Sequence, residues 1–429
     1  MLKSIKIAFI IGLIIILYPP GFGQGSFNTP YSGFGLGDLT FKGFGRNRAM
    51  GGITYGMRDS KSIDFANPAA YTIRDSLSLT FEFGGTGQAS KFSTAEETYV
   101  PWDFNFSHLA FSFPVSRKLS FGAGLVPYSL SGYLYVDPVR EENDNYNPEI
   151  GEIDYLFKGD GGISQIFFGL GYEITKNFSV GMNVNYLFGN LHRAQSASFL
   201  SIPYAHHPKL EEWDIISGFN FNLGLQYITH FGKDYELVAG GSFVKGSNIN
   251  QKTEFLNTNS LFLAEGSVTD TLFNFISPKE AKKFPASVGV GITINKGDKW
   301  LMGFDYKQVF WTNSNIMRFD SLLNSHSFHF GMEYTPNPRE QKNYPLRIHY
   351  RIGAYYTKSH LKVMGNQIND FGITFGAGLP IGRSRSSVNL AFDLGRRGNK
   401  EDNMILEKHG GVTLSLTLYD IWFMKRKYD

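Results

Sequence analysis

The sequence predicts an all-β fold, a transmembrane antiparallel β-barrel of about fourteen strands with an N-terminal plug inside the barrel. Three features indicate this fold. The chain is rich in aromatic residues and glycine, with 39 Phe, 23 Tyr and 48 Gly in 429 residues, and only 18% of its residues are charged. Long stretches alternate apolar with small or polar residues. Short turns alternate with long loops over the same region, as in bacterial outer-membrane barrels.

Period-two alternation is clearest in four segments, 178–188, 219–227, 288–294 and 412–418. In each of them one face is apolar and the other carries Ser, Thr, Asn, Gln or Gly, as expected for strands with lipid on one side. The predicted strand cores start near Leu77, Leu109, Leu119, Gln165, Phe178, Phe219, Glu236, Ala286, Trp300, Phe328, Leu346, Phe371, Val388 and Gly411. Fourteen is an even number, as single-chain bacterial barrels require.

The connections between these strands fall into two alternating classes. The short turns lie around residues 116–118, 175–177, 232–234, 296–298, 337–339 and 382–384. The long loops cover residues 87–105, 136–161, 191–213, 247–284, 313–325, 358–370 and 396–409. Outer-membrane barrels have short periplasmic turns and longer external loops, so both termini are expected in the periplasm.

The N-terminus resembles a secretory signal peptide. Lys3 and Lys6 precede an apolar run from Ala8 to Leu17, which is shorter than the ~20 residues a spanning helix needs. Residues 1–24 are therefore predicted to be cleaved. Residues 25–75 show no clean period and form the predicted plug, and residues 76–429 form the barrel.

Several kinds of function are disfavoured by the sequence. The chain has no Cys, which excludes disulfides and thiolate metal sites, and a net charge of +3 gives no reason to expect nucleic-acid binding. The Gly-x-Gly pairs lack the further glycine and the helix of a dinucleotide site. His206 and His207 have no matching ligand spacing. No Ser-His-acid set can be placed on neighbouring strands, so we expect no enzyme, no cofactor and no metal.

Charged residues are predicted to face the lumen on three successive strands. These residues form a predicted lumen charge network of Asp305, Lys307, Glu333, Arg347, His349 and Arg351. Opposite charges on adjacent strands can pair. One interpretation is a salt-bridge network that anchors the plug or braces the wall. The other is a cationic site that holds a ligand carboxylate.

A proline interrupts the third predicted strand. Gly122 and Gly124 lie on its lumen face, and Val126 and Tyr128 flank Pro127. Proline cannot donate to the ladder and is confined to edges, strand starts or bulges. Either the strand ends above the membrane at this point, or Pro127 marks a kink that opens the wall sideways, bordered by Val126 and Tyr128.

Short motifs resemble a known family. Asn67-Pro68-Ala69 stands just before the first strand and resembles the plug motif of FadL-type long-chain fatty-acid channels and their aromatic-hydrocarbon relatives. The segments 46–52, 64–71, 124–129 and 420–429 look like the Bacteroidota branch of that family, which also contains PorV-like proteins.

This resemblance implies a monomeric barrel in outer-membrane lipid that takes up hydrophobic molecules passively. In such channels the ligand leaves through a gap at the third strand, the strand that carries Pro127 here. The expected ligands are hydrophobic small molecules such as long-chain fatty acids or aromatic hydrocarbons, but most of the plug and the loops depart from the fatty-acid channels. The alternative is a structural or accessory barrel in an outer-membrane secretion or assembly machine, whose partners are other proteins. A continuous apolar tunnel would favour transport, and a filled lumen with apolar external loops would favour the partner role.

Overall fold

A computed structural model describes residues 29–40, 43–93, 98–202, 204–261, 269–316, 322–363, 365–382, 384–400 and 405–422. The predicted signal peptide, residues 1–24, lies outside the described residues. Within those ranges, no helix has both the length and the apolar character needed to cross a membrane.

The chain forms one antiparallel sheet that closes on itself, because the last strand pairs with the first strand of the wall from Leu406↔Ser93 to Ile421↔Ser78. The strands are β1 (Asp38–Leu39), β2 (Ser78–Ser93), β3 (Thr98–Tyr99), β4 (Trp102–Pro114), β5 (Leu119–Val139), β6 (Ile153–Thr175), β7 (Phe178–Phe199), β8 (His207–Phe231), β9 (Tyr235–Val244), β10 (Asn248–Ser260), β11 (Thr269–Ile276), β12 (Glu280–Lys283), β13 (Ala286–Lys296), β14 (Trp300–Phe310), β15 (Ser325–Tyr334), β16 (His349–Val363), β17 (Asn366–Pro380), β18 (Ser387–Arg397) and β19 (Leu406–Ile421).

These segments make fourteen wall strands, which confirms the predicted antiparallel β-barrel of about fourteen strands. β9 and β10 are two halves of one wall strand, since both pair with β8. β11, β12 and β13 together line the next position, pairing with β10 and β9. The short β3 pairs with the end of β2, and β1 belongs to the N-terminal segment inside the barrel.

The alternation read from the sequence corresponds to the two faces of the wall. Along β8, Phe221 and Leu223 are 42% and 49% exposed, while Asn222 between them is 6% exposed. Apolar side chains therefore cover the outer surface, where lipid replaces water, and polar side chains face the lumen.

The two ends of the barrel differ as the sequence indicates, and they are called here the short-turn end and the long-loop end. Much of what was predicted as long loop is strand: β6, β7 and β8 contain 23, 22 and 25 residues. A membrane crossing needs only about 9–11 residues. The wall therefore continues well beyond the hydrocarbon layer at the long-loop end.

The turn before β16 and the start of that strand also differ from the prediction. The connection from β15 to β16 covers residues 335–348 and contains a 3₁₀ helix, Tyr344–Arg347, so the wall strand begins at His349 and not near Leu346. Pro345 in this helix fixes one backbone angle and cannot donate to a ladder, which delays the strand.

Residues 29–40 and 43–75, called here the plug, occupy the space inside the wall. They contain a helix α1 (Gly45–Arg48), two 3₁₀ helices (Pro30–Gly33 and Pro68–Ile73) and β1. Met50, Ile53 and Tyr71 are fully buried. Because the segment is too short to build a core of its own, its apolar side chains are buried against the barrel.

Candidate functional site: the plugged lumen and the gap in the wall

The Asn67-Pro68-Ala69 motif joins the plug to the wall. The Asn67 amide donates to the carbonyl of Tyr55 (2.8 Å) and to that of Leu225 on β8 (3.1 Å). Its side-chain oxygen accepts the N–H of Ala69 (3.2 Å) and caps the 3₁₀ helix that Pro68 begins. This motif thus fixes the last turn of the plug before the first wall strand.

Glycines on the inner face of the wall leave room for the Asn67-Pro68-Ala69 motif. A Cβ on Gly181 would lie 2.4 Å from the Pro68 carbonyl carbon, and one on Gly224 would lie 2.2 Å from the Asn67 side-chain oxygen. No side chain fits at such distances, so the Gly-rich inner faces of β7 and β8 are complementary to the plug.

Asp305 on β14 holds a second part of the plug. Its carboxylate accepts the backbone N–H groups of Thr54 (2.5 Å) and Tyr55 (2.9 Å). Asp305 is fully buried. A buried carboxylate without such donors would be costly, so these bonds fix residues 54–55 against the wall.

Three of the other predicted lumen charges lie around an arginine of the plug. Arg46 on α1 donates to both carboxylate oxygens of Glu333 (3.0 and 3.1 Å) and also contacts Asp59. Arg351 donates to Glu333 as well (2.7 Å), and His349 lies 3.7 Å from the same carboxylate. The structure therefore brings three predicted residues together around Arg46, which the sequence analysis did not single out.

Two predicted members lie elsewhere. Arg347 is in the 3₁₀ helix at the short-turn end and donates to the carbonyl of Gly382 (2.6 Å), so its placement in the lumen was wrong. The reason is the late start of β16, which removes Arg347 from the alternation. Lys307 lines a cavity in the lumen and lies apart from Glu333.

The ladder between β4 and β5 is incomplete beside Pro127. Within the described ranges 102–114 and 119–139, the pairing of these strands ends at Leu109↔Leu125. The register between β5 and β6 shifts between Pro127 and Ser129, which leaves Tyr128 as an extra residue. A gap thus separates β4 and β5 in the parts of these strands that lie nearer the long-loop end.

The plug covers the free edge of β5 in this gap. Asp38 and Leu39 of β1 pair with Leu130 and Ser129. The Thr40 hydroxyl donates to the Pro127 carbonyl (2.5 Å). Unpaired strand edges attract other strands, and here the chain's own N-terminal segment satisfies the edge.

The remaining predicted residues of this region are buried beside the gap. Val126 is 5% exposed, and the Tyr128 ring packs on Phe284 with 5.2 Å between centroids. A Cβ on Gly122 would lie 2.9 Å from the Tyr71 ring, and one on Gly124 would lie 2.4 Å from a backbone oxygen of β4. Neither glycine therefore borders open space.

A cavity of about 240 Å³ lies between the plug and the wall and reaches the gap at Phe106 and Pro127. Its lining includes many ionisable side chains: Asp38, Arg48, Lys307, His329, His360, Asp370, Asp393, Arg397 and His409. Arg397 pairs with Asp38 (3.0 Å). Burial lowers the pKa of Arg48, and the charge of Asp393 opposes that shift. The same lining also includes apolar side chains such as Leu130, Val309 and Ile368, so the cavity is mixed and not the purely apolar kind that stays dry.

The long-loop end presents apolar side chains to solvent. All eight residues of β11 are exposed, among them Leu272 (58%), Phe273 (46%) and Phe275 (53%). β11 pairs with β10, and its other edge has no strand partner in the described part of the chain.

The plug arginines and β11 were missed by the sequence analysis. Two basic residues in the apolar, Gly-rich segment 44–53 could have indicated buried carboxylate partners for Arg46 and Arg48. For β11, the alternation was hidden because both of its faces carry apolar residues.

Solved structures with the same fold are outer-membrane channels. The chain is similar to the toluene transporter TodX of Pseudomonas putida, with a TM-score of 0.59 and 14% identity over 90% of this chain and 100% of that one. It is also similar to the CymD monoaromatic hydrocarbon channel, with a TM-score of 0.54, 14% identity and coverage of 90% and 98%. A FadL homologue of Pseudomonas aeruginosa gives a TM-score of 0.57 and 11% identity, with coverage of 91% and 99%. At these identities the likeness shows the fold of the FadL-type barrels of the outer membrane.

Sequence comparison identifies the family. A search of curated proteins finds no significant match. The family model described as BamG matches residues 1–429, the whole of the chain. The protein therefore belongs to the BamG family.

Proposed function

We propose that this barrel is an accessory subunit of an outer-membrane protein assembly or secretion machine, and that it binds another protein through its long-loop end. The observation that carries the proposal is the exposed apolar strand β11. A solvent-exposed strand edge with apolar side chains is a template for a strand of a partner.

The filled lumen supports a role that does not require conduction. The plug is hydrogen-bonded to several wall strands, and the cavity beside it is small and rich in charged side chains. At about 240 Å³ the cavity could contain a small aromatic ring, but cavities that bind such rings are lined by apolar side chains. Desolvating the charged groups around a hydrocarbon would oppose its binding.

The charge of the long-loop end indicates the chemistry of the partner. The extended parts of β5 to β8 with their loops, residues 133–163 and 189–215, carry eleven acidic residues and four Lys or Arg. Because β10 lies between β8 and β11, this acidic surface is on the paired side of β11, opposite its free edge. A partner that adds a strand at β11 and also reaches over β10 is therefore expected to present basic side chains to this surface.

The test is cross-linking in native membranes followed by purification of the tagged barrel. A Phe273→Ser, Phe275→Ser variant should lose a co-purifying outer-membrane protein that the wild type retains at a fixed ratio. Tyr204→Ser is the matched control, since Tyr204 is 79% exposed and lies outside β11. Retention of the same partner at the same ratio by the β11 variant would reject this docking surface.

The gap between β4 and β5 favours a second candidate, passive uptake of hydrophobic small molecules with lateral exit at Pro127. The cavity borders the gap, so movement of residues 38–40 away from β5 would join the two. The test is uptake of labelled toluene or palmitate by cells that carry the barrel, compared with cells that lack it. Equal rates in the two strains would exclude transport.

A further inference from the structure

An apolar groove runs along the outer face of the wall, over β8, β9 and β13. Its volume is about 1110 Å³, and its lining is almost entirely hydrocarbon. Its lining includes Leu225, Tyr227, Val290 and Ile292, with Ala239 and Gly241 between them.

The groove results from the cross-strand pairing. Ala239 on β9 lies between Tyr227 and Ile292, and two residues further on Gly241 stands between larger neighbours in the same way. The small residues form the floor and the large side chains form the two walls. Because Gly240 faces the plug, a Cβ there would lie 1.7 Å from the Tyr55 carbonyl oxygen, whereas one on Gly241 would have ordinary contacts of 3.5 Å or more.

Lysines stand where the groove meets the short-turn end. Lys296 pairs with Tyr235 at the start of β9, and its ammonium lies 5.1 Å from the centre of that ring. Lys233 and Lys299 lie in the two turns on either side, and Trp300 follows at the start of β14. Aromatic residues of this kind mark the headgroup level of a membrane.

The acidic residues that the structure describes near these lysines do not form ion pairs with them. Asp234 and Asp298 occur in the same turns, and Glu236 is paired with His230 (3.3 Å). Lys233, Lys296 and Lys299 are exposed, and none has a carboxylate within ion-pair distance among the residues that the structure describes.

We propose that this groove binds one phospholipid with an anionic headgroup. One of its two acyl chains lies over Ala239 and Gly241, and its phosphate group lies among Lys233, Lys296 and Lys299. The groove opens on the hydrocarbon layer, which supplies the chain, and the lysines select the charge. A lysine near a membrane surface contributes about a fivefold preference for anionic lipid.

The test is native mass spectrometry of the full-length barrel released from bilayers of phosphatidylethanolamine with phosphatidylglycerol. The wild type should retain one phosphatidylglycerol. Ala239→Trp should lose it, because the indole fills the floor of the groove. Ala377→Trp is the matched control, since Ala377 on β17 also faces outward beside a tyrosine, Tyr350. Equal retention by both variants would overturn the groove as the site.

A second variant tests the contribution of the lipid headgroup separately from that of the acyl chain. Replacing Lys233, Lys296 and Lys299 with Gln should reduce the preference for phosphatidylglycerol over phosphatidylethanolamine by about a hundredfold, from about fivefold per lysine. An unchanged preference would overturn the headgroup assignment.

If Ala239→Trp does not fold, as judged by heat-modifiable migration, Gly241→Leu replaces it as the variant that fills the floor of the groove. A photo-cross-linker at Gly241 that captures a protein in place of lipid would also overturn the proposal.

Discussion

Replacing Arg46 with Met should release the plug while leaving the wall closed. The guanidinium is shared by Glu333 and Asp59, and the side chains of Arg46 and Glu333 are each 9% exposed. Breaking a buried ion pair by removing one partner costs about 3–5 kcal/mol. Arg351 continues to pair with Glu333. The expected cost is therefore near the lower limit, about 3 kcal/mol, or roughly a hundredfold shift toward the released plug.

The assay is limited trypsin digestion of the folded barrel in detergent, read by mass spectrometry. Released plug exposes Arg58 and Lys61, so fragments ending at these residues should appear much faster in the variant. The Arg46→Met, Glu333→Met double variant removes two of the charges together and should be cut more slowly than Arg46→Met. The reasoning is refuted if Arg46→Met is digested at the wild-type rate while its heat-modifiable migration is unchanged.

Three further predictions concern the plug and the orientation. Gly240→Ala should destabilise the plug because its Cβ would strike the Tyr55 carbonyl, whereas Gly241→Ala, one residue along on the lipid face, should leave the thermal unfolding midpoint unchanged. Asp305→Ala leaves two buried N–H groups of the plug without an acceptor, at about 1–3 kcal/mol each, and should lower the denaturant midpoint measured by tryptophan fluorescence. An epitope at Asp270 should bind antibody on intact cells, and labelling only after lysis of the outer membrane would contradict the predicted orientation.

The sequence predicts the wall best where lipid enforces a contrast between its faces. Phe219 to Tyr227 alternates with Asn, Gly and Gln, and the structure exposes and buries these residues accordingly. The contrast disappears where both faces meet water, so the extended parts of β6 to β8 resemble loops in the sequence. Arg347 was misplaced for a similar reason, since alternation alone could not show that Pro345 delays the strand.

The sequence predicts which residues form the plug, but it does not predict which wall residues the plug contacts. It has no period, so nothing in its sequence relates Arg46 to Glu333, which is 287 residues away. The carboxylates of the wall were predicted because each lies on a strand with a defined inner face. Their partner lies on α1, a single helical turn, and such contacts depend on the packed shape of the whole lumen.

The position of the plug also constrains the order in which the molecule is assembled. Residues 29–40 are made before any wall strand, and they later supply hydrogen bonds to the open edge of β5. The wall is sealed by β19 pairing with β2, which joins the last strand to the first. The plug also touches strands as distant as β5, β8, β14 and β15, so inserting it into a sealed cylinder would require many of these contacts to form in a closed space. The N-terminal segment is therefore expected to act as a scaffold around which the wall curls, and the seam closes last.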